Sequence, residues 1–248
     1  MDEIEVIVDF FVNLERLGPA DTEQSKRALN CINFETNTPK IADIGCGTGS
    51  QTIFLAKETN TEIIAVDYLQ PFLDELEKRA KLQKLNVKTI CANMNNLPFP
   101  ENSFDLIWSE GAIYNIGFNN GINYWKKYIK HNGYLAITEQ SWFTEDRPKE
   151  IEDFWTNAYS GIDTVKNNVN KLEKSGYKIL DHFSLPNKCW DNYYEPIREK
   201  LTAFAEKWKN KKEVLDFVNE QLAEIEMYKK YNQYCGYEFY IAQKVCYS

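Results

Sequence analysis

The stretch Ile41-Ala42-Asp43-Ile44-Gly45-Cys46-Gly47-Thr48-Gly49 decides how the rest of this 248-residue chain is interpreted. It joins a short apolar run to glycines at three alternate positions, which suits a tight turn from a buried strand into a helix. We expect the missing Cβ atoms to let a ligand lie against the main chain. Asp67 follows eighteen residues later, after the apolar run Ile63-Ile64-Ala65-Val66. This distance is typical of a nucleoside-binding βαβ unit, whose acid accepts hydrogen bonds from ribose hydroxyls.

The spacing of the glycines separates two classes of ligand. Dinucleotide-binding proteins carry G-x-G-x-x-G, which faces a pyrophosphate with a helix N-terminus. This chain carries D-x-G-x-G-x-G, which resembles motif I of the class I S-adenosylmethionine-dependent methyltransferases. The resemblance implies S-adenosylmethionine as cofactor and S-adenosylhomocysteine as product. It places five residues around the amino-acid end of the cofactor: Asp43, Gly45, Cys46, Gly47 and Gly49.

The same resemblance covers about residues 38–145 and implies the other cofactor contacts. Asp67 is expected at the ribose, although it could instead only cap the next helix. Tyr68 is expected beside adenine, where an ordinary surface position is the alternative. Asn93 and Met94 fall in the loop that caps adenine, and Asn93 stands where many members carry aspartate. The end of the fourth strand is expected to meet the methionine portion through Ser109, Glu110 and Gly111.

The resemblance also implies the fold. We expect an α/β, Rossmann-like methyltransferase domain: a seven-stranded mixed sheet with an antiparallel last strand and helices on both faces. Strands are predicted over residues 87–92, 134–138, 177–185 and 237–245, with a helix over 71–85. The whole chain, 1–248, is interpreted as one domain. It divides into an N-terminal helical lid (1–36), a cofactor-binding core (37–145) and a helical substrate-cap insertion (187–233).

The predicted lid begins with a helix over residues 4–17, which Gly18-Pro19 would end. Asp21 and Gln24 then suggest a capping box for a second helix through Ile32. In related methyltransferases such a lid closes over the cofactor, so Arg16 and Gly18 are candidate cofactor contacts. The alternative is a helix that merely packs on the sheet.

The predicted insertion holds two helices, near residues 196–208 and 213–231, where the core fold needs only a short connection. The segment Trp190-Asp191-Asn192-Tyr193-Tyr194-Glu195-Pro196 opens it and is dense in aromatic residues. Most aromatic side chains belong to a core, but these stand where a substrate should enter. Aromatic faces there would suit a flat substrate or a cation.

Methyl transfer requires a nucleophile aligned with an activated methyl group and the exclusion of water. Three polar residues follow the fourth and fifth strands and are candidates for base or substrate-orienting roles: Glu110, Tyr114 and Glu139. The alternative for both glutamates is that they stabilise the N-termini of following helices. His131 and His182 are expected to be structural, because neither position reaches the ligand crevice.

Composition narrows the possible partners. Asp plus Glu number 37 against 29 Lys plus Arg, for a net charge of −8, so a nucleic-acid backbone would be repelled. Sequence motifs of amino-directed and cytosine-C5 DNA methyltransferases are absent after the fourth strand, which favours a small-molecule acceptor. The six cysteines show no metal-ligand spacing and are expected to be reduced, buried thiols of a cytoplasmic protein with no metal. We expect no membrane partner, and a homodimer remains open.

Two rival functions stay open at this point. A nicotinamide-dependent oxidoreductase could use the same βαβ unit, but it would need the dinucleotide glycine spacing. A non-catalytic protein that binds S-adenosylmethionine is the other alternative, because a fold does not fix a function.

Overall fold

A mixed β-sheet runs through the computed structural model, which describes residues 2–245. The strands are β1 Ile41–Ile44, β2 Ile63–Asp67, β3 Val87–Cys91, β4 Phe104–Ser109, β5 Ile129–Trp142, β6 Asp163–Thr164, β7 Tyr177–Ser184 and β8 Cys235–Lys244. The helices are α1 Glu3–Phe11, α2 Thr22–Asn30, α3 Ser50–Thr59, α4 Gln70–Leu82, α5 Phe118–Trp125, α6 Lys149–Ala158, α7 Val165–Lys174, α8 Asn187–Lys207 and α9 Lys212–Tyr231.

The order of the strands creates the crevice that a ligand can use. Neighbouring strands follow the order β3-β2-β1-β4-β5-β8-β7, and β6 adds two residues beside the end of β5. Strands β1 to β5 are parallel, and β8 runs antiparallel to both β5 and β7. The predicted mixed sheet with an antiparallel last strand is therefore confirmed. Because the chain changes direction across the sheet at β1 and β4, a crevice opens at their carboxyl ends.

Successive side chains of a strand point to opposite faces of the sheet, and on both faces they are buried. On one face, Ala42 and Ile44 pack with Trp125 and Tyr177, and all four are at most 1% exposed. On the other face, Ile41 belongs to a second apolar cluster. Helices cover both clusters, so the sheet is a rigid platform for residues at its edge.

The first helix is shorter than predicted. It ends at Phe11, although Leu14 and Leu17 continue the helical spacing. The buried Val6 and Phe10 of α1 pack in a cluster with α8 and α9, which also contacts Tyr237 of β8. We call this third apolar cluster, formed by α1, α8 and α9, the cap core. Helix α1 therefore packs mainly on α8 and α9.

The second helix begins where predicted but is capped differently. The side chain of Asp21 accepts a hydrogen bond from the Glu23 N–H at 2.8 Å, so the predicted box with Gln24 does not form. The helix ends at Asn30, and Ala28 packs into the cluster on the sheet. The two N-terminal helices thus belong to different layers.

Two further predicted boundaries need correction. Helix α8 starts at Asn187, so Pro196 lies inside it and not at its beginning. Buried Ile197 and Leu201 hold the helix beyond the proline, and this packing offsets the cost of an interior proline. Strand β5 begins at Ile129, so His131 lies in an irregular part of the strand and not in a turn.

The cysteines and the helices bear on the remaining expectations. Cys46, Cys189 and Cys235 are buried free thiols, Cys31 is half-buried and Cys91 is exposed, so burial was wrongly predicted for Cys91. Cys246 lies outside the described residues. Within residues 2–245, no cluster of His, Cys, Asp and Glu could hold a metal ion, and no helix is long and apolar enough to cross a membrane.

Candidate cofactor and substrate site

The glycine loop between β1 and α3 has the positive φ angles that its sequence predicts. Gly45 has φ of 76° and Gly47 has φ of 53°. A Cβ atom on Gly45 would lie 2.3 Å from Cβ of Ala112, and one on Gly47 would lie 2.7 Å from Cδ1 of Leu17. Glycine is therefore needed here because of neighbouring protein atoms. The sequence analysis instead expected glycine to make room for a ligand. The loop is packed between the end of β4 and the segment that joins α1 to α2, residues 12–21, which we call the N-terminal segment.

Asp67 joins the glycine loop to the start of α4. Its Oδ2 accepts from the Gly47 N–H at 2.8 Å, and its Oδ1 accepts from the Leu69 N–H at 2.9 Å. Burial raises the pKa of this carboxyl, while the backbone donors oppose that rise. Each oxygen of a carboxylate can accept a second hydrogen bond. The helix-capping role and the ribose-binding role are thus compatible.

A cavity of about 1020 Å³ opens beside this loop. Its volume is at the top of the range of roughly 300–1,000 Å³ that a single drug-sized ligand occupies. Twelve of the candidate site residues line it: Gly18, Gly45, Cys46, Gly47, Gly49, Asp67, Tyr68, Asn93, Met94, Glu110, Gly111 and Tyr114. Residues far apart in the sequence are therefore brought to one crevice.

Two of the remaining candidates support the cavity from behind. Asp43 is 1% exposed and accepts from the Thr52 hydroxyl at 2.6 Å, and burial raises its pKa to about 7. Ser109 is fully buried and donates to the Ile44 carbonyl at 2.7 Å. These bonds tie α3 to β1 and β4 to β1. Both residues hold the loop in place without lining the cavity.

Arg16 lies outside the main cavity. It lines a smaller cavity with Asn192 and Pro196, and its guanidinium donates to the Thr22 hydroxyl at 3.4 Å. The two histidines also do not line the main cavity. His182 on β7 places Nδ1 2.6 Å from Oε1 of Glu238, at the edge of the sheet.

Glu110 lines the cavity, but its carboxylate is engaged by the protein. Oε1 accepts from the Ser25 hydroxyl and from Nε1 of Trp108, each at 2.9 Å, and Oε2 accepts from Nε2 of Gln51 at 3.4 Å. Burial raises the pKa of Glu110 to about 6, so these donors face a largely ionised group at neutral pH. Glu110 thereby holds α2 and α3 against the end of β4. It caps neither neighbouring helical turn.

Glu139 is buried on the face of β5 that points away from the cavity. It is 1% exposed, and neither carboxyl oxygen makes a hydrogen bond of normal geometry among residues 2–245, although the Tyr159 hydroxyl faces it. Burial raises its pKa to about 8, so the carboxyl is mostly protonated at neutral pH. Gln140, the next residue, faces the cavity, because successive side chains of a strand point to opposite faces. Glu139 reaches the cavity wall only through the neighbouring Tyr159.

The N-terminal segment is fastened to the glycine loop by two side chains that the sequence analysis missed. The Thr48 hydroxyl donates to the Leu14 carbonyl at 3.0 Å. The Arg79 guanidinium, from α4, donates to the carbonyls of Leu14 at 3.1 Å and Glu15 at 3.3 Å. The segment therefore lines the cavity beside the glycine loop. A single arginine in a helix gives no sequence signal for such a role.

The far wall of the cavity comes from α8, α9 and β8. Trp190 and Tyr193 of the predicted entry segment line it, as does Tyr237 of β8. One face of α9 contributes Glu213, Asp216, Phe217, Glu220, Gln221 and Glu224. The sequence analysis missed Gln140, Tyr237 and the α9 residues. The helical spacing of the α9 acids was the signal that could have found them.

Comparison with known proteins agrees with this geometry. Residues 41–133 match the family model described as a methyltransferase domain. An uncharacterized protein of Methanocaldococcus jannaschii is 27% identical over 187 residues, which cover 71% of this chain and 75% of that protein. Phosphoethanolamine N-methyltransferase of Plasmodium falciparum is 24% identical over 223 residues, covering 83% of this chain and 81% of the enzyme.

Solved structures share the fold at low sequence identity. The Escherichia coli protein YjhP has a TM-score of 0.84 at 16% identity, over 98% of this chain and 100% of that one. A SAM-dependent methyltransferase from Geobacter sulfurreducens, solved with S-adenosylhomocysteine, has a TM-score of 0.82 at 14% identity, over 96% and 97% of the two chains. The matched residues 41–133 hold the glycine loop, Asp67 and the strands that frame the cavity, so the comparisons support a class I S-adenosylmethionine-dependent methyltransferase, a family that uses S-adenosylmethionine as its methyl donor.

Proposed function

We propose that this protein transfers a methyl group from S-adenosylmethionine to a small-molecule acceptor by in-line displacement. One observation carries the proposal: a single cavity extends from the glycine loop and Asp67 to the aromatic wall of α8 and β8. A donor at the loop and an acceptor at the wall would share one enclosed space. Proximity of that kind lowers the barrier of a reaction between two bound molecules.

The residues around the loop would bind the cofactor in three parts. Asp67 would accept the ribose hydroxyls, and Tyr68, whose side chain is 64% exposed, would lie against adenine. Oδ1 of Asn93 already accepts from the Asn95 N–H at 2.8 Å, and its second lone pair would take the adenine amino group. The amino-acid end would meet a last set of residues: Gly18, Gly45, Cys46, Gly47, Gly49, Met94, Glu110 and Gly111. Asp43 and Ser109 would act by supporting the loop, and Arg16 by its charge near Glu110.

Bound at this site, S-adenosylmethionine supplies an activated methyl group and leaves as S-adenosylhomocysteine. The chain itself must align the acceptor and exclude water. Tyr114 is the best placed of the three candidate catalytic residues. It lines the cavity, and burial raises its pKa, so its hydroxyl stays protonated and can orient an acceptor. Glu110 is occupied by protein donors, and Glu139 would act only through Tyr159.

Closure over the bound cofactor is proposed for two parts of the chain. Within the lid (1–36), the segment held by Thr48 and Arg79 would cover the cofactor. Within the cap (187–233), α8 and α9 would cover the acceptor. A cytoplasmic location and assembly as a homodimer also stay predictions.

Calorimetric titration with S-adenosylmethionine, S-adenosylhomocysteine and NADH tests the cofactor assignment. Asp67→Asn keeps one acceptor oxygen and removes the charge, so the affinity for both sulfur nucleosides should fall by about 30-fold, as for one lost hydrogen bond to a charged group. Asp74→Asn is the matched control, because Asp74 is an exposed acid of α4 outside the cavity. Unchanged affinity in the Asp67 variant, or binding of NADH alone, would contradict the assignment.

A turnover assay separates an enzyme from a non-catalytic binder. The protein would be incubated with S-adenosylmethionine and a panel of small acceptors, and S-adenosylhomocysteine would be quantified. Tyr114→Phe should lower turnover while leaving cofactor affinity unchanged. Cofactor binding without any turnover across the panel would favour the binder.

A further inference from the structure

The ionisable side chains that line the cavity and carry charge are all acidic. Among residues 2–245, its lining includes no lysine, arginine or histidine. It includes eight carboxylate side chains: Glu3, Glu15, Asp67, Glu110, Glu213, Asp216, Glu220 and Glu224. A cleft with such a lining attracts cations and repels anions.

The acids of the acceptor side form a track along α9. Glu213, Asp216 and Glu220 are exposed, and Lys212 forms an ion pair with Asp216, with its Nζ 2.6 Å away. Glu224 lies one turn further along the same face and is half-buried, and its Oε1 accepts from the Tyr194 hydroxyl at 2.8 Å. The track therefore leads from the cavity mouth to one inner carboxylate.

Aromatic rings surround that inner carboxylate. Trp190 and Tyr237 lie with ring centroids 5.3 Å apart, and Trp190 is fixed from behind by stacking on Tyr228 at 4.6 Å. Tyr193 and Tyr237 are close enough to Glu224 for its charge to raise the pKa of both hydroxyls, although burial is the larger cause. The faces of such rings attract a cation, most strongly where water is excluded.

Gln140 provides an independent sign of a ligand. It lines the cavity, is only 4% exposed, and its Oε1 has no hydrogen-bond partner within the described part of the chain. A buried acceptor without a donor is costly, so such an atom calls for a partner. A small rotation of the Gln140 amide would bring this buried oxygen to the cavity, where an N–H or O–H group of a bound molecule would supply that donor.

We infer that the acceptor is a small cationic amine that carries neither phosphate nor carboxylate. Glu224 is its counter-charge, the rings of Trp190, Tyr193 and Tyr237 are its cation–π wall, and Oε1 of Gln140 accepts one of its hydrogen bonds. The inference rests on the proposed function and names its substrate class. The Plasmodium falciparum relative is named for phosphoethanolamine, whereas a phosphate in this cavity would find no basic side chain to pair with.

The transfer balances with the residues present. The ammonium form of the acceptor gives one proton to the Glu224 carboxylate, which exposes the nitrogen lone pair. That lone pair forms the new N–C bond as the S–C bond breaks, and the bonding electrons stay on sulfur. The product is again an ammonium ion, and Glu224 returns its proton to water. Burial raises the pKa of Glu224, which makes it a better proton acceptor for this exchange.

Three probes of nearly the same shape test the inference by calorimetry on the protein saturated with S-adenosylhomocysteine. Choline carries the cation, 3,3-dimethylbutan-1-ol replaces nitrogen by carbon, and phosphocholine adds a phosphate. We expect choline to bind about 30-fold more tightly than the neutral alcohol, as for a desolvated cation–π site, and more tightly than phosphocholine. Equal binding of choline and the alcohol, tighter binding of phosphocholine, or no binding of choline would overturn the inference.

A matched pair of variants tests whether Glu224 supplies the counter-charge of the cation. Glu224→Gln keeps an acceptor for Tyr194 and should lower the preference for choline over the alcohol to the part that the aromatic rings alone provide. Glu226→Gln makes the same change on the same helix, at an exposed residue paired with Lys229, and should change nothing. Retained preference in the Glu224 variant would overturn the assignment of the counter-charge. Loss of S-adenosylhomocysteine binding by the wild-type protein would instead refute the proposed function, so the two failures are distinguishable.

Discussion

Replacement of Gly47 by alanine tests whether the N-terminal segment rests on the cofactor loop. The new methyl group would lie 2.7 Å from Cδ1 of Leu17, at a residue whose φ is 53°. Two costs therefore add. The left-handed conformation costs a non-glycine residue roughly 1–2 kcal/mol, and the overpacked contact costs about 1–3 kcal/mol.

The two costs separate in a double-mutant cycle. Gly47→Ala should lower the free energy of unfolding by about 2–5 kcal/mol in the wild-type background, but by only about 1–2 kcal/mol when Leu17 is also alanine. Each kcal/mol corresponds to about 2–4 °C in Tm for a chain of this size. Urea and thermal denaturation followed by circular dichroism would measure both quantities.

Gly117→Ala is the matched control. Gly117 has φ of 80°, but a Cβ atom there would meet no atom within 4 Å. With ψ of 133° Gly117 lies near a backbone region that essentially only glycine adopts, so its cost should be a backbone cost of about 1–3 kcal/mol and should not depend on Leu17. A cost of Gly47→Ala that is the same with leucine or alanine at position 17 would refute the contact between segment and loop.

Three further predictions concern the segment, the cap core and a buried acid. Arg79→Met removes the donors to the carbonyls of Leu14 and Glu15, so dissociation of S-adenosylmethionine in stopped-flow experiments should be about tenfold faster; an unchanged rate would show that this segment does not retain the cofactor. Phe10→Ala, at a fully buried site of the cap core, should cost about 3–5 kcal/mol and speed amide hydrogen exchange in α8 and α9 more than in β1 to β5; uniform acceleration would argue against a separate core. Because the pKa of Glu139 rises from 4.5 to about 8 on folding, the folded state keeps a proton that the unfolded chain releases, and stability falls as the pH rises through this range. Glu139→Gln should flatten that fall and be more stable than wild type at pH 8, by on the order of 2–4 kcal/mol; parallel pH curves from urea titrations would contradict the assigned protonation state.

Local sequence predicted the glycine loop and the acid at the end of β2, because few residues determine this part of the fold. The turn after β1 needs glycine at positions 45 and 47, and an acid at the end of β2 follows from the geometry of a βαβ unit. The Gly47 N–H also donates a hydrogen bond to the Asp67 carboxylate. Each such requirement concerns neighbouring elements, so a single stretch of sequence carries it.

The predicted helix extended too far into the N-terminal segment. The spacing of apolar residues shows that one face is buried, but not which part of the protein buries it. Leu14 and Leu17 continue the period of α1, but their carbonyl and side-chain groups are taken by the glycine loop and by Arg79. Tertiary contacts thus end the helix at Phe11. No local signal of helix termination stands at that residue.

The acceptor end was less predictable for a related reason. Whether Glu139 or Gln140 faces the cavity depends on the register of β5, and a shift of one residue exchanges the two faces. Asn132, with φ of 58°, lies where that register shifts. Glu224, in contrast, was within reach of sequence reasoning, because it shares a helical face with Glu213 and Glu220.

The position of β8 has a consequence for how the chain is made. Strand β8 is synthesised after both β5 and β7, lies between them, and pairs with both over most of its length. Until Cys235–Lys244 leaves the ribosome, two long strands keep open edges that can pair with other chains. Pairing across so much sequence is also slow. Expression should therefore be sensitive to changes in β8, and truncations that reach into this strand should yield aggregated protein, even though Tyr237 is the one described cavity residue that does not precede it.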